Sequence, residues 1–444
     1  MLRFPIPVLL LFLFAWTAAQ AGEQRWYVDS SAAPGGDGSA SAPYASLASV
    51  ASRTEPGLIV LRSSRTHYQG PVRLHPGQSL RGEGAERPVV TSSSDVVTVE
   101  GGDGEVVVSD VVILGTGTAA GMTIAPTDAA VSVRDVRIET AGGTALSASG
   151  VRRLKIQRAA IVTSNAPTAV EIHDSELDAE IQSVSARGNT LRSAIVLDDI
   201  SGRVVIEGGA VEGGTASAVS ASNVANLTLR RMVLKGNART NGAEASACGG
   251  DGDDLAVSCH AAIALRNVAG AILENVSIED SGQAGIVASG VRGLKISDTM
   301  IAGSGDELFE HAMIVAGGSG DYVLDNVRIT RSASRHLMIR GGEDLRFKIS
   351  RSSFSETAPP HGQQAILLHA GDADSVELAV RDSVFTDTFS NAIDVIGSGD
   401  ARIGVTVEGN QFHRQAAAVN IAATERATIE YVVAQNPAIH GSSG

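Results

Sequence analysis

From Val106 to Phe412 the chain repeats one pattern twelve times, φ-x-φ-x-x-x-x-φ with φ apolar. It begins at Val106, Val131, Leu154, Ala179, Val204, Leu227, Ala271, Leu294, Tyr322, Phe347, Leu378 and Val405. The third position is aliphatic in every repeat. The eighth is a large aliphatic residue or Phe in all but one, where Ala186 stands. Alternation over φ-x-φ marks a strand with one face buried. The fifth position is often Asp or Asn, as at Asp110, Asp135, Asn275, Asp298, Asn326 and Asp382. These side chains tolerate the left-handed backbone and bond their own main chain, so the chain bends there. A second strand of small and apolar residues follows, such as "AAIAL" or "AGIVA". Each unit thus holds two or three short strands separated by sharp bends, with no room for a long helix. One unit cannot bury its apolar face alone, but a stack of units buries a continuous core.

Successive units lie 23 to 31 residues apart, with one step of 44. That spacing selects an all-β, right-handed parallel β-helix of about 12 coils. Left-handed helices built on hexapeptides need shorter and more regular coils. Leucine-rich repeats are the structural alternative, since "NVANLTLRRMVL" nearly fits their consensus. Against them, the apolar positions are mostly Val and Ile, the Asn is misplaced, and the rest of each unit reads as strand. The repeat array covers 106–435. Residues 22–105 form an entry and capping segment with the first coils, and 436–444 a short tail. Within the entry, "SAPYASLASVASR" from Ser41 has an N-cap candidate, Pro43 near the first turn, and Leu47 and Val50 three apart. It predicts a short capping helix over the open N-terminal end of the stack.

Ahead of the array, Arg3, an apolar run over 6–16 and Ala19-Gln20-Ala21 form a secretory signal peptide, residues 1–21. The mature chain is therefore expected in the periplasm, at the cell surface or outside the cell. No later apolar run is long enough for a transmembrane helix. The net charge of −14 argues against nucleic acid as a partner. Aromatic residues make up only 4% of the chain, which leaves few platforms for stacking sugar rings. The two cysteines, Cys248 and Cys259, share one Gly/Asp-rich segment. A close, even pair in an exported chain predicts a disulfide, with two free thiols as the alternative.

The longer steps come from insertions at 238–259, 302–310 and 356–362, all after the eighth position. They fall at one corner of the coil, so they cluster on one side of the rod, where loops on a rigid scaffold carry function. Aligning the strands that follow on Ile263, Ile286, Ile314, Ile339, Ile366 and Ile393 gives a polar column three residues ahead. It consists of His260, Gln283, His311, His336, Gln363 and Ser390, on rungs about 4.8 Å apart. In that register His311 and His336 are outward-facing neighbours, with Glu310, Asp306, Glu307, Arg335 and Arg340 nearby. His311, His336, Glu310 and Arg335 are the candidate catalytic residues. An imidazole beside a carboxylate can act as general base, and a guanidinium can neutralise a uronate carboxylate during β-elimination. His260, Gln283, Gln363 and Arg340 are the candidate ligand-binding residues. Two His with a carboxylate also fit a divalent metal. A corner that must expose something polar accounts for the same residues without any chemistry.

No cofactor is required by these patterns. The one cation with a conceivable place is calcium, at "GGDGDD" over 249–254, but EF-hand spacing and the closing Glu are missing. A solvated acidic tip is the simpler reading. Asp198-Asp199 reads as a turn.

Taken together, the repeats and the opening "YVDSSAAPGGDGSASAPYASLASV" resemble the right-handed parallel β-helix, or pectate-lyase-like, superfamily. Stretches such as "GPVRLHPGQSLRGEG", "CHAAIALRNVAGAILENVSIEDSGQAGI", "GSGDELFEHAMIV" and "VTVEGNQF" are similar to repetitive bacterial β-helix surface proteins. The resemblance covers roughly residues 25–435 and implies fold and export. Activity is not implied. The pectin-hydrolysing branch carries N-T-D, D-D, G-H-G and R-I-K, of which only Asp198-Asp199 echoes one. The D-P-H-D of the alginate-epimerising branch is absent.

Two functional classes follow. The first is a secreted or surface scaffold, adhesin-like or glycan-interacting, with polysaccharide or cell-surface components as partners. It accounts for the regular array and the missing catalytic motifs. The second is a polysaccharide lyase, C5-epimerase or glycoside hydrolase. It accounts for the corner insertions and the His column.

Overall fold

The computed structural model describes residues 24–239, 260–306, 310–357 and 363–437. Each repeat closes into one turn of a parallel β-solenoid of about 14 turns. A turn contributes one strand to each of three parallel ladders. The φ-x-φ strands form the first ladder: Val106 pairs with Val131, Val204 with Leu227, Leu294 with Tyr322, and Phe347 with Leu378. The eighth position opens the second ladder, whose strands include Met300–Ser304, Arg328–Ser332 and Ser353–Thr357. The small-residue strands form the third, including Ala261–Arg266, Ala284–Ser289, Ile366–Ala370 and Ile393–Gly397.

The bend between the first and second ladders behaves as its side chains dictate. Asp110, Asp135, Asn275, Asp298, Asn326 and Asp382 all have φ between 49° and 58°. This is the left-handed region, where the short polar side chain offsets the cost of a Cβ.

The core runs the length of the rod. Ile296, Leu324 and Ile349 stack on consecutive rungs and are all buried. Towards the C-terminal end the filling becomes aromatic. Tyr322 stacks on Phe347 at 5.4 Å, Phe354 on Phe385 at 4.9 Å, and Phe385 on Phe412 at 5.2 Å. Burying each such side chain stabilises the stack by about 1.5–3 kcal/mol.

The first coils lie in the entry segment before Val106, where strands Gly57–Arg62 and Gln78–Glu83 stack beneath Glu105–Ser109. Two expectations change. The predicted capping helix is a single 3-10 turn, Leu47–Ser49, with the Ser46 side chain accepting from the Ala48 N–H. It still places Leu47 and Val50 over the core. A longer helix has nowhere to start, because Tyr44 is bonded into the first strand through the Tyr27 carbonyl and bridges Val28. Finally, Leu154 pairs with Leu177, and Ile156 with Ala179. The whole turn is displaced by two residues from the register read on the repeat, which sets Leu154 against Ala179, and a displacement of two keeps the same face inward. A local irregularity at Ala159, beside Arg158 at φ 51°, leaves the pairing the same on either side. Ile161 meets Val184, and Ala186, the odd member at the eighth position, meets Thr163.

Among the described residues no helix is long and apolar enough to cross a membrane. Residues 1–21, the 249–254 acidic tip, Cys248 and Cys259 lie outside the described residues.

Candidate functional site

Each corner insertion follows a second-ladder strand and precedes a third-ladder strand in the chain, and residues 240–259, 307–309 and 358–362 within them lie outside the described residues. The register of the third ladder is different from that read on Ile alone. Its inward column is Ile263, Ile286, Met313, Leu337, Ile366 and Ile393. Alignment on Ile314 and Ile339 is displaced by one and by two residues, because Met313 and Leu337 fill the space that Ile fills elsewhere. Ile314 therefore lies on the outer face, where it clusters with Ala261, Ala284 and Val287. The position three residues ahead of the true column holds His260, Gln283, Glu310, Ser334, Gln363 and Ser390.

Consequently the two histidines are not outward-facing neighbours. His311 is 1% exposed and His336 is 0% exposed. His336 occupies an inward position where the adjacent turns carry Ala312 and Ala365. Its Nε2 bonds the Ser355 carbonyl at 3.0 Å, and its ring lies 6.1 Å from that of Phe354. A carbonyl can only accept, so the ring proton is on Nε2 and Nδ1 is bare. Nδ1 has no hydrogen-bond partner among the described residues. Burial lowers the pKa of His336 to about 4.

On the outer side of the sheet, His311 Nδ1 accepts the Arg335 backbone N–H at 3.3 Å, which assigns the proton to Nε2. Burial, and then the positive charge of Arg335, hold this imidazole well below its usual range. Both rings are thus neutral at pH 7. The cause is desolvation rather than repulsion between the two.

Glu310 is also buried, and its carboxylate accepts the Asp306 N–H at 2.6 Å, tying the turn together. From Arg335 a polar chain runs onward along the outer face. Arg335 Nε donates to Gln364 Oε1 at 2.9 Å, and Gln364 Nε2 donates to Asp394 Oδ2 at 2.7 Å. Asn391 Nδ2 donates to the other Asp394 oxygen at 2.7 Å. Gln364, Asn391 and Asp394 escaped sequence reasoning. In the true register Gln364 and Asn391 continue the line of His311 and Arg335, so the correct inward column would have found them. Beside this chain an apolar, buried line runs along the same face: Val287, Ile314, Met338 and Leu367 follow one another up the ladder.

The four predicted ligand-binding residues are spread over the same corner and face. The His260 N–H donates to Gln283 Oε1 at 2.8 Å, four rungs from Gln363. Burial, then Arg266 and Arg192, lower the His260 pKa. Gln363 Oε1 has no partner among the described residues. Arg340 sits beside His369 in the third ladder. Among the described residues no three metal-ligating side chains converge.

A family model described as "Right handed beta helix region" matches residues 252–412. A comparison with curated proteins finds no match. Solved structures with a similar chain path include a lacto-N-biosidase from Eubacterium ramulus. It is 9% identical, the match covers 92% of this chain and 68% of that one, and the TM-score is 0.30. The A-module of the mannuronan C-5 epimerase AlgE6 from Azotobacter vinelandii is 11% identical over 87% of this chain and 93% of that one, with a TM-score of 0.30. A rhamnogalacturonan lyase is 12% identical over 93% and 87%, with a TM-score of 0.18.

Proposed function

We propose that this protein is an exported, non-catalytic solenoid scaffold that displays one looped corner and its flanking face to glycans or other cell-surface components. The observation that carries this reading is the state of the candidate acid–base groups. His336 is a core residue. His311 is buried, and its only basic nitrogen already accepts a backbone N–H. Asp394 is clamped by two amides. A general base must reach the proton it removes, and each of these groups is already engaged or walled in. What remains is a stacked core that brings the ends of the strands flanking the insertions to one corner, as a scaffold for recognition requires.

The test is a depolymerisation and epimerisation screen of the full mature chain, on neutral and acidic polysaccharides, with and without calcium. The expected result is no new reducing ends, no unsaturated products and no change in uronate configuration. Turnover by wild type that disappears in a folded His311→Ala variant would overturn the scaffold reading and restore an enzyme.

A further inference from the structure

A second left-handed column runs beside the looped corner, and sequence patterning gave no sign of it. Asp280, Gly303, Arg331, Glu356, Asp387 and Arg414 occupy one position on successive turns of the second ladder. Their φ values lie between 51° and 67°. A shared backbone conformation on rungs about 4.8 Å apart fans their side chains along one line. The last four, with Thr357, Thr388 and Phe389, line an open recess of about 520 Å³, within the usual range for small-ligand sites.

Phe389 is the most exposed large apolar side chain among the described residues, at 64%. Lone exposed apolar residues are common and need no explanation. This one differs in being held. Its N–H donates to Thr357 Oγ1 on the preceding turn at 2.8 Å, and Thr388 beside it is buried. The turn therefore presents an aromatic face to solvent at the wall of the recess, in a chain that has few aromatic residues.

The charges around it balance. Arg414 pairs with Asp387 at 2.6 Å. Arg331 and the Glu356 carboxylate make no side-chain hydrogen bond or ion pair with any described residue. One guanidinium and one carboxylate on adjacent rungs offer donors and acceptors to neighbouring hydroxyl groups, and the aromatic face offers a surface to the C–H side of a ring. Equal numbers of positive and negative groups give no preference for a polyanion, and the net charge of −14 repels one.

We propose that this recess is a carbohydrate-binding subsite for a neutral pyranose residue of a glycan chain, stacked on Phe389 and hydrogen-bonded by Arg331 and Glu356. The proposal rests on the scaffold reading in taking glycans as the partner, and it adds the place and the charge class.

Binding of the full mature chain to neutral cello-, manno-, xylo- and galacto-oligosaccharides, with oligogalacturonate and oligomannuronate as acidic counterparts, is measured by calorimetry. At least one neutral ligand should bind. Phe389→Ala should weaken it tenfold or more, Phe389→Tyr should retain it, and Arg331→Met and Glu356→Gln should each weaken it several-fold. All three sites are on the surface, so unchanged thermal melts will show that the four variants are folded. Neutral-glycan binding that survives Phe389→Ala unchanged would overturn this subsite and leave the scaffold reading standing. A preference for the acidic ligands that Arg331→Met abolishes would overturn the neutral assignment. No binding to any member of the panel would overturn the subsite, and with it the glycan part of the scaffold reading.

Discussion

His336 makes the fold of this protein sensitive to mild acid, by an amount that can be worked out. Its ring is fully buried, donates to the Ser355 carbonyl, and has a pKa lowered by burial from 6.5 to about 4. In the unfolded chain the same ring titrates near its ordinary value. Between those two pKa values the unfolded state binds a proton that the folded state refuses, so stability falls as the pH falls. The sign follows from the depressed folded value: nothing is lost above pH 6.5, and the loss is complete below pH 4. Each unit is worth about 1.4 kcal/mol, so the whole window costs about 3 kcal/mol, and the step from pH 7 to pH 5 about 2 kcal/mol.

The perturbation is His336→Ala. Adjacent turns carry Ala312 and Ala365 at this inward position, so the coil accepts the backbone of an alanine. At pH 7 the variant should be less stable by about 2–4 kcal/mol, from the cavity beside Phe354 and the unpaired Ser355 carbonyl. At pH 5 the wild type alone bears the titration penalty of this ring, and the gap should shrink by about 2 kcal/mol. His311 titrates in the same direction but is present in both proteins, so it cancels. Urea unfolding followed by circular dichroism at the two pH values measures the gap. A gap that is the same at both would refute the placement of His336 as a neutral core residue.

Two further outcomes follow from the coil register and the corner loop. Leu324→Asp would set an unpaired carboxylate between Ile296 and Ile349 and should cost several kcal/mol. Unchanged melting would show that this column is not the core. Cys248 and Cys259 are expected to be joined to each other. Mass spectrometry of unreduced peptides should find the linked pair, and replacing both with Ser should leave the melting of the array nearly unchanged, because so short a loop constrains the unfolded chain only locally.

The fold was legible because a solenoid repeats its physics every turn. The strand alternation, the Asp and Asn bends and the burial of Ile296, Leu324 and Ile349 each recur often enough for the pattern to average out exceptions. The places where the reading slipped are those where one turn differs from its neighbours. The turn from Leu154 to Thr163 pairs two residues away from the register of the repeat, and within it Arg158 takes a left-handed conformation that its residue type does not advertise. At Leu47 the helical signals were real, but a β bridge at Tyr44 had already claimed the backbone that a longer helix would need.

The candidate site was less legible for the same reason seen from the other side. Ile, Leu and Met are interchangeable as core filling, so an alignment anchored on Ile cannot tell Ile314 from Met313, and a slip of one residue turns a side chain to the opposite face. The displacement of one residue at Ile314 and of two at Ile339 made His311 and His336 look like an exposed pair, when one lies on the outer face beneath buried surroundings and the other is in the core. It also hid the line from Arg335 through Gln364 to Asp394. Core positions announce themselves by hydrophobicity whatever the register, whereas a site is defined by which side chains meet. In a coil whose length changes from turn to turn, those meetings are fixed by the inward column. Read on Met313 and Leu337, the same residues describe a polar chain that braces the outer face. The groups left to meet a ligand are then those on the neighbouring column from Arg331 to Arg414.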